Sequence, residues 1–294
     1  MRSILTSLSD ALAAAIDTAA PSVVQIHGGR RLAAGVVVAP GLVVTSGRGL
    51  DTGAVSVRDG DGRTFDGTVI GHGAATGFAV IRVPELTAAV ATMADEPRPG
   101  HLAQALGRTW SGGVFAAFAP VAVVGGPLRT SRRTELARVI RVGVAPHGAL
   151  TGGALVDGEG RVLGIVTGTA IRGTTVVVPA SIAWAEVQEV VAHEGAAPGY
   201  LGVGSVPVRL APAQQVNGHT SGLLVTAVVD GGPAAAAGVL VGDVLVALDT
   251  VAIDDPEDLI GRLRGRAGQS MALTVVRGGA ATTLTATVGE RPRG

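Results

Sequence analysis

Apolar residues repeat along this chain with two different spacings, and each spacing predicts a different kind of element. Ile4, Leu8, Leu12 and Ile16 recur at intervals of four until Pro21, which predicts an amphipathic helix within residues 1–20. Beyond Pro21 the apolar residues cluster into short, valine-rich runs that are typical of strands. The runs that we expect to be strands are 22–26, 34–38, 42–45, 79–83, 139–142 and 161–166.

Turn-forming residues separate these runs and indicate how the strands connect. Asp-Gly-Asp-Gly at 59–62 and Asp-Gly-Glu-Gly at 157–160 predict tight turns, so we expect an antiparallel barrel or sandwich up to about Gly173. A second amphipathic helix is expected at 181–193. A linker-like stretch at 195–199 then precedes a compact final unit with its own strands and an amphipathic segment at 256–263.

Composition narrows the classes of function. The 294 residues favour two domains. The chain has no lysine, its 23 basic residues balance 23 acidic ones, and it has four Phe, two Trp and one Tyr, so nucleic acid is not an expected partner. The absence of cysteine excludes disulfides and thiol catalysis. No apolar run reaches the roughly 18 residues of a membrane span. We expect no cofactor and no metal, because the histidines lack ligand spacing.

The first residues bear on cellular location. Residues 1–8 imitate the start of a signal peptide, but Ser9 and Asp10 interrupt the apolar stretch. We therefore expect a retained helix and a cytoplasmic location. A cleaved leader, with a periplasmic or exported location, is the alternative.

Two sets of segments carry a family resemblance. The segments 200–203 (Tyr-Leu-Gly-Val), 232–238 (Gly-Pro-Ala-Ala-Ala-Ala-Gly) and 242–248 (Gly-Asp-Val-Leu-Val-Ala-Leu), with Leu259 and Leu263, resemble a PDZ domain. The segments 43–50, 76–81 and 151–155 resemble the active-site strands and turns of HtrA/Deg proteases. This resemblance implies a mainly β fold. It also implies that a trypsin-like double antiparallel β-barrel at 21–195 follows the helix expected at 1–20 and precedes an α+β PDZ domain at 199–291.

The triad positions that the resemblance implies all carry other residues. Thr151 stands at the serine position, Arg48 at the histidine position and Gly77 at the aspartate position. A hydroxyl needs a neighbouring base that a third group orients. Arginine stays protonated and cannot be that base, and glycine has no carboxylate to orient one. The three losses together indicate that peptide hydrolysis has been abandoned.

Other groups near these positions leave alternatives open. His147 and His72 are each either a substitute base for Thr151 or a loop residue with no such partner. Arg48 either binds a carboxylate or a peptide carbonyl, or extends into solvent. The resemblance also implies an oxyanion loop at Ala149, Leu150 and Thr151, whose backbone amides need no side-chain chemistry.

The resemblance places a peptide site in the PDZ unit. A terminal carboxylate would bind the N–H groups of Tyr200, Leu201, Gly202 and Val203, and an apolar groove would favour peptides that end in a small or aliphatic residue. The alternative is that the apolar side chains of this set fill the core. The peptide-binding residues that we expect are Tyr200, Leu201, Gly202, Val203, Ile260 and Leu263.

Three functions therefore remain open. The first is a catalytically inactive HtrA-like protein that binds peptides or protein C-termini, in a regulatory, scaffolding or quality-control role, with an active protease relative as one partner. The second is a residual endopeptidase that uses Thr151. The third is an oligomeric assembly protein, since the resemblance implies a homo-oligomer, and specifically a trimer.

Overall fold

A computed structural model describes residues 3–28, 31–47, 49–50, 53–73, 75–129, 135–192, 199–215, 218–263 and 265–290. The described residues divide into two compact units, one within residues 3–192 and one within 199–290. Both units are built mainly from antiparallel strands, as the sequence predicts.

The first unit opens with helix α1 (Ile4–Ala19), which Ser3 caps by accepting a hydrogen bond from the N–H of Thr6. The 3₁₀ turn Ala20–Ser22 ends the helix at Pro21. A closed barrel follows with the strand order β1-β2-β3-β6-β5-β4. Its strands are β1 Val23–Gly28, β2 Arg31–Ala39, β3 Leu42–Ser46, β4 Gly53–Arg58, β5 Thr64–His72 and β6 Phe78–Arg82.

A seven-stranded sheet forms the rest of the first unit, in the order β8-β7-β13-β14-β15-β12-β9. Two short strands, β10 Leu128–Arg129 and β11 Glu135–Leu136, pair with each other and lie between β9 and β12 in the sequence. Helix α2 (Ala180–Ala192) closes the unit. The sheet strands are β7 Gln104–Arg108, β8 Val114–Phe118, β9 Val121–Gly125, β12 Val139–Val142, β13 Ala154–Val156, β14 Val162–Ile171 and β15 Thr174–Pro179.

Valine-rich cores fill the first unit. One core consists of side chains of the closed barrel, and a second consists of side chains of the seven-stranded sheet. The largest core includes side chains of the barrel, the sheet and α2. Arg108 is buried among them because its guanidinium donates to the carbonyls of Val23 at 2.8 Å and Ala20 at 2.7 Å. Burial lowers the pKa of Arg108, and the nearby carboxylates of Asp59 and Asp61 raise it.

The second unit is a sheet with the order β17-β18-β19-β21-β22, flanked by helices. Its core includes buried side chains of both the strands and the helices. β20 pairs with β19, and β16 pairs with β23. The elements are β16 Gly199–Tyr200, β17 Val203–Arg209, the 3₁₀ turn Pro212–Gln214, β18 Ser221–Val228, α3 Pro233–Ala236, β19 Val244–Leu248, β20 Val251–Ala252, α4 Pro256–Leu263, β21 Ser270–Arg277, β22 Ala280–Thr287 and β23 Gly289–Glu290.

The expected N-terminal helix is present, but its expected apolar face is only partly buried. Ile4 is 87% exposed and Leu8 is 41% exposed, whereas Ala15 and Ala19 in the last turns are buried. Only the C-terminal half of α1 therefore packs on the unit. The expected helix end at His193 and the expected linker residues 195–198 lie outside the described residues.

Candidate functional site

Three segments that the sequence singles out come together in the first unit. Thr45 and Ser46 end β3, Gly77 precedes β6, and Thr151 follows the 3₁₀ turn Gly148–Leu150. The carbonyl of Thr151 accepts a hydrogen bond from the N–H of Ala34 at 2.9 Å, which fixes this segment on β2. A Cβ atom added to the neighbouring Gly152 would meet the Thr45 hydroxyl and the Ser46 amide. Arg48 lies outside the described residues.

Among the residues that the structure describes, no imidazole is a hydrogen-bond partner of the Thr151 hydroxyl. Its Oγ1 donates to the carbonyl oxygen of His147 at 3.4 Å, near the upper limit for a hydrogen bond. The side chain is half-buried, and its backbone is extended with φ −64° and ψ 123°. A carbonyl cannot take up the hydroxyl proton, so this contact does not activate the oxygen.

Both candidate histidines are bonded elsewhere. The Nδ1 atom of His147 accepts the N–H of Ala149 at 3.2 Å, and its ring stacks on Phe115 with centroids 4.4 Å apart. The Nε2 atom of His72 lies 2.9 Å from the carbonyl oxygen of Leu50. Within the part of the chain that the structure describes, neither ring hydrogen-bonds to Thr151.

The expected oxyanion loop has its amides turned inward. The N–H of Ala149 donates to His147 Nδ1, the N–H of Leu150 donates to the His147 carbonyl at 3.0 Å, and the N–H of Thr151 donates to the Gly148 carbonyl at 3.1 Å. A substrate oxyanion needs donors that are free and aimed at it. In this conformation these amides stabilise the 3₁₀ turn instead.

The aspartate position is held in a backbone conformation that suits glycine. Gly77 has a φ of +68°, and its N–H donates to the Gly73 carbonyl at 2.9 Å. The preceding residues are fixed by Glu186 of α2, whose Oε1 accepts the N–H groups of Ala75 at 2.8 Å and Thr76 at 3.0 Å. The Thr76 hydroxyl donates to the other carboxylate oxygen. No sequence signal distinguished Glu186 from an ordinary helix-surface glutamate.

The second unit contains a loop in which two backbone amides have no hydrogen-bond partner among the described residues. Leu201 and Gly202 are buried, and Gly202 has a φ of +77°. In the described part of this unit, the N–H groups of Leu201 and Gly202 make no hydrogen bond, whereas their carbonyls accept from Ala234 and Val229 at 2.8 Å each. Buried donors without partners are costly, and a ligand carboxylate would satisfy them.

The loop directly precedes β17, and α4 is the helix next to that strand. β17 is the terminal strand of its sheet, so one of its edges is unpaired in the described sheet. Helix α4 lies against β16 and β17. Val203 is half-buried and Ile260 is half exposed, so both are accessible to a ligand, whereas Leu201 and Leu263 belong to the buried core. The apolar set was expected either to contact a peptide or to fill the core, and Leu201 and Leu263 fill the core.

An ion pair supports the same unit. Arg277 donates to both carboxylate oxygens of the buried Asp243 at 2.7 Å, and the N–H of Leu240 adds a third bond at 2.9 Å. The hydrogen bond from Arg277 lowers the pKa of Asp243 more than burial raises it. Asp243 is therefore a structural carboxylate, and the pair fixes the end of β21 to the turn before β19.

Comparison with known families matches both units. A trypsin-like peptidase domain matches residues 33–165, and a PDZ domain matches residues 224–277. The first match contains Gly77 and Thr151, and the second contains α4 but begins after the loop at 200–203. The trypsin-like and PDZ assignments from the sequence are therefore confirmed.

Whole-chain relatives are proteases of one group. A Synechocystis protein named as the serine protease HhoA is 31% identical over 272 residues, which cover 83% of this chain and 67% of that protein. A Brucella suis protein named as a DegP-like periplasmic serine endoprotease is 27% identical over 270 residues. The match covers 87% of this chain and 52% of the Brucella protein, so the chain spans about half the length of that relative.

Solved structures agree on the fold. The HtrA-type protease AlgW, solved with a tripeptide, superposes with a TM-score of 0.60 at 27% identity, over 96% of this chain and 98% of AlgW. A serine endoprotease from Yersinia pestis superposes with a TM-score of 0.61 at 21% identity, over 96% of this chain and 98% of that one. The second likeness is evidence of fold alone.

Proposed function

The chain belongs to the HtrA/DegP family of trypsin-like serine proteases with a C-terminal PDZ domain, and from this premise we propose that it is a pseudoprotease that binds peptides. In this proposal the trypsin-like unit has lost hydrolysis. The PDZ unit binds peptides or protein C-termini in a regulatory, scaffolding or quality-control role. We also propose the domain boundaries expected from the sequence, 1–20, 21–195 and 199–291.

The observation that carries the loss of hydrolysis is the set of partners around Thr151. Its hydroxyl donates to a carbonyl, and the rings of His147 and His72 are bonded to other backbone groups. Serine-type catalysis needs a base at the hydroxyl and free oxyanion donors. The inward-bonded amides of Ala149 and Thr151 support the same conclusion.

The observation that supports peptide binding is the loop at Leu201 and Gly202. Its two unbonded amides lie at the start of β17, whose free edge can pair with an extended peptide. AlgW, a member of the same family, has been solved with a tripeptide and with a decapeptide. We propose that the ligand's carboxylate binds these amides and that Val203 and Ile260 contact its last side chain.

Partners and location follow from the family. An active protease relative is one candidate partner, and we propose that the chain forms a homo-oligomer, with three copies as the first arrangement to test. The Brucella relative is named as periplasmic, and no relative that we compared supports the cytoplasmic location expected from the first residues. We therefore propose a periplasmic or exported location. Among the described residues, no helix has the length and apolarity to cross a membrane.

The test compares hydrolysis of an unfolded protein by the wild type and by Thr151→Ala, at concentrations high enough to reveal very slow turnover. We expect the same background from both, because no described residue acts as a base for the Thr151 hydroxyl. Binding of a short peptide with a free C-terminal carboxylate is measured on the same samples and is expected in both. Hydrolysis by the wild type alone would contradict the proposal and would favour the residual endopeptidase.

A further inference from the structure

The unpaired edge of β17 carries a proline. Pro207 lies in β17 opposite Leu223 and is exposed. A proline has no N–H to donate, and prolines within sheets are confined to edges and bulges. Which edge of β17 the missing N–H would face decides whether Pro207 matters to a ligand.

The hydrogen-bond phase of β17 answers this question. In an antiparallel pair of strands, facing residues alternate between two arrangements. In one, the two residues hydrogen-bond to each other through their N–H and C=O groups, and in the next, these groups point away from the partner strand. The N–H of Leu210 donates to the Thr220 carbonyl at 2.9 Å, which makes that pair a bonded one. Counting back two residues at a time, Val208 and Val206 also face β18. Pro207 therefore faces the free edge.

A second set of bonds gives the same phase. Val225 exchanges backbone bonds with the turn before β19: its N–H donates to the Asp243 carbonyl at 2.8 Å, and its carbonyl accepts from the N–H of Gly242 at 2.9 Å. Val225 lies opposite Ser205, so Ser205 cannot be bonded to β18 and points outward. Beyond the irregularity at Gly204, the bond from the Val229 N–H to the Gly202 carbonyl likewise turns Val203 outward. The backbone groups on the free edge belong to Val203, Ser205, Pro207 and Arg209.

These positions can be assigned to ligand residues by the same alternation. With the ligand carboxylate at Leu201 and Gly202, an antiparallel peptide meets Val203 with its last residue and Ser205 with the residue two before it. Pro207 then faces the residue four before the last. The ring Cδ of Pro207 occupies the direction in which an N–H would point, so the peptide backbone cannot approach to hydrogen-bond distance there.

We propose that Pro207 ends the peptide ladder, so that a ligand makes no backbone hydrogen bonds to β17 beyond the residue that faces Ser205. This inference rests on the proposed peptide-binding function. Backbone pairing stops after Ser205, and residues further from the ligand's C-terminus add no backbone hydrogen bonds. A partner therefore needs only a short free tail, and selectivity lies in its last residues.

The experiment measures the affinity of two acetylated peptides that share the ending Thr-Ala-Val with a free carboxylate. One has three residues and the other has five, with two alanines added at the N-terminal end. For the wild type we expect affinities equal within about twofold. For Pro207→Ala we expect the longer peptide to bind about two- to tenfold more tightly, which is the worth of one restored hydrogen bond, and the shorter peptide to be unchanged. Val206→Ala is the matched control, because Val206 faces β18.

The outcomes separate the two claims. A wild type that binds the five-residue peptide several-fold more tightly than the three-residue one would overturn the role of Pro207 while leaving peptide binding intact. The same length dependence in Pro207→Ala as in the wild type would also overturn it. Absence of binding by either peptide, with the same peptides amidated at the C-terminus as reference, would overturn the proposed function and this inference together.

Discussion

The turn before Thr151 and the loop before β17 are two short segments that differ in whether their backbone N–H groups have hydrogen-bond acceptors. In the first, the amides of Ala149, Leu150 and Thr151 all donate to groups within the turn. In the second, the amides of Leu201 and Gly202 are buried without a hydrogen bond in the described structure. A donor that is already satisfied offers little to a ligand, whereas an unsatisfied buried donor gains the full bond. This difference is the reason why we propose that peptides bind to the PDZ unit and not to the turn before Thr151.

Glycine marks the difference between the two segments. Gly202 has a φ of +77°, a conformation that costs other residues about 1–2 kcal/mol. By contrast, the turn Gly148–Leu150 is an ordinary 3₁₀ turn with His147 as its N-cap. None of the three residues of this turn has a positive φ.

The largest expected effect comes from closing the open loop with Gly202→Ala. A Cβ there would lie 3.3 Å from the Tyr200 ring and from Val229, and the positive φ would be strained. We expect affinity for the three-residue peptide to fall about tenfold or more, measured by titration calorimetry. Gly278→Ala is the matched control, because Gly278 also has positive φ but its added Cβ meets nothing within 4 Å. Equal losses in both variants would show that general destabilisation causes the effect.

A smaller effect is expected from loosening the closed turn at His147. His147→Ala removes both the acceptor for the Ala149 N–H and the stacking on Phe115, and we expect it to lower the free energy of unfolding by about 1 kcal/mol. His147→Phe keeps the stacking and removes only the acceptor, so its loss should be about half as large. Denaturant unfolding followed by circular dichroism measures both. Thr151-dependent hydrolysis in either variant would show that the turn alone prevented catalysis.

We expect no increase in hydrolysis from a variant that restores the triad side chains but leaves the turn before Thr151 unchanged. The variant with Arg48→His, Gly77→Asp and Thr151→Ser regains the residue types of the family, yet the amides of Ala149 and Thr151 stay bonded inward. Loss of one oxyanion donor alone costs a protease about 100- to 1,000-fold in turnover. The φ of +68° at Gly77 is also unfavourable for aspartate. Hydrolysis of an unfolded protein well above the wild-type background would refute the importance of the turn.

The sequence predicted the elements whose pattern is local and missed those that depend on distant partners. The valine runs at β1 to β3 and the helix α4 at 256–263 lie where the pattern indicates. β7 was not predicted, because its Gln104 and Arg108 read as polar. Both are buried because their side chains donate to backbone carbonyls. Gln104 donates to Leu12 of α1 and Arg108 donates to Val23, and both acceptors lie far from β7 in the sequence. Such pairings cannot be recognised in a single sequence.

The candidate sites divide in the same way. Residue identity alone was enough to raise the hypothesis that catalysis is lost, because arginine cannot act as a base and glycine has no carboxylate. The inward bonding of the amides at 149–151, the anchor at Glu186 and the stacking of His147 on Phe115 are tertiary features. In the PDZ unit, the sequence identified the loop, but it could not separate the buried Leu201 and Leu263 from the accessible Val203 and Ile260.

The most direct test is a backbone amide NMR titration of the full chain with the three-residue peptide, with its C-terminally amidated form as reference. We predict that the amide protons of Leu201, Gly202 and Val203 move downfield as the carboxylate binds them, and that those of Ala149, Leu150 and Thr151 keep their positions. The amidated peptide should move neither set. Shifts at the amides of 149–151 without shifts at 201–203 would contradict the account, because binding would then occur at the turn that we describe as closed.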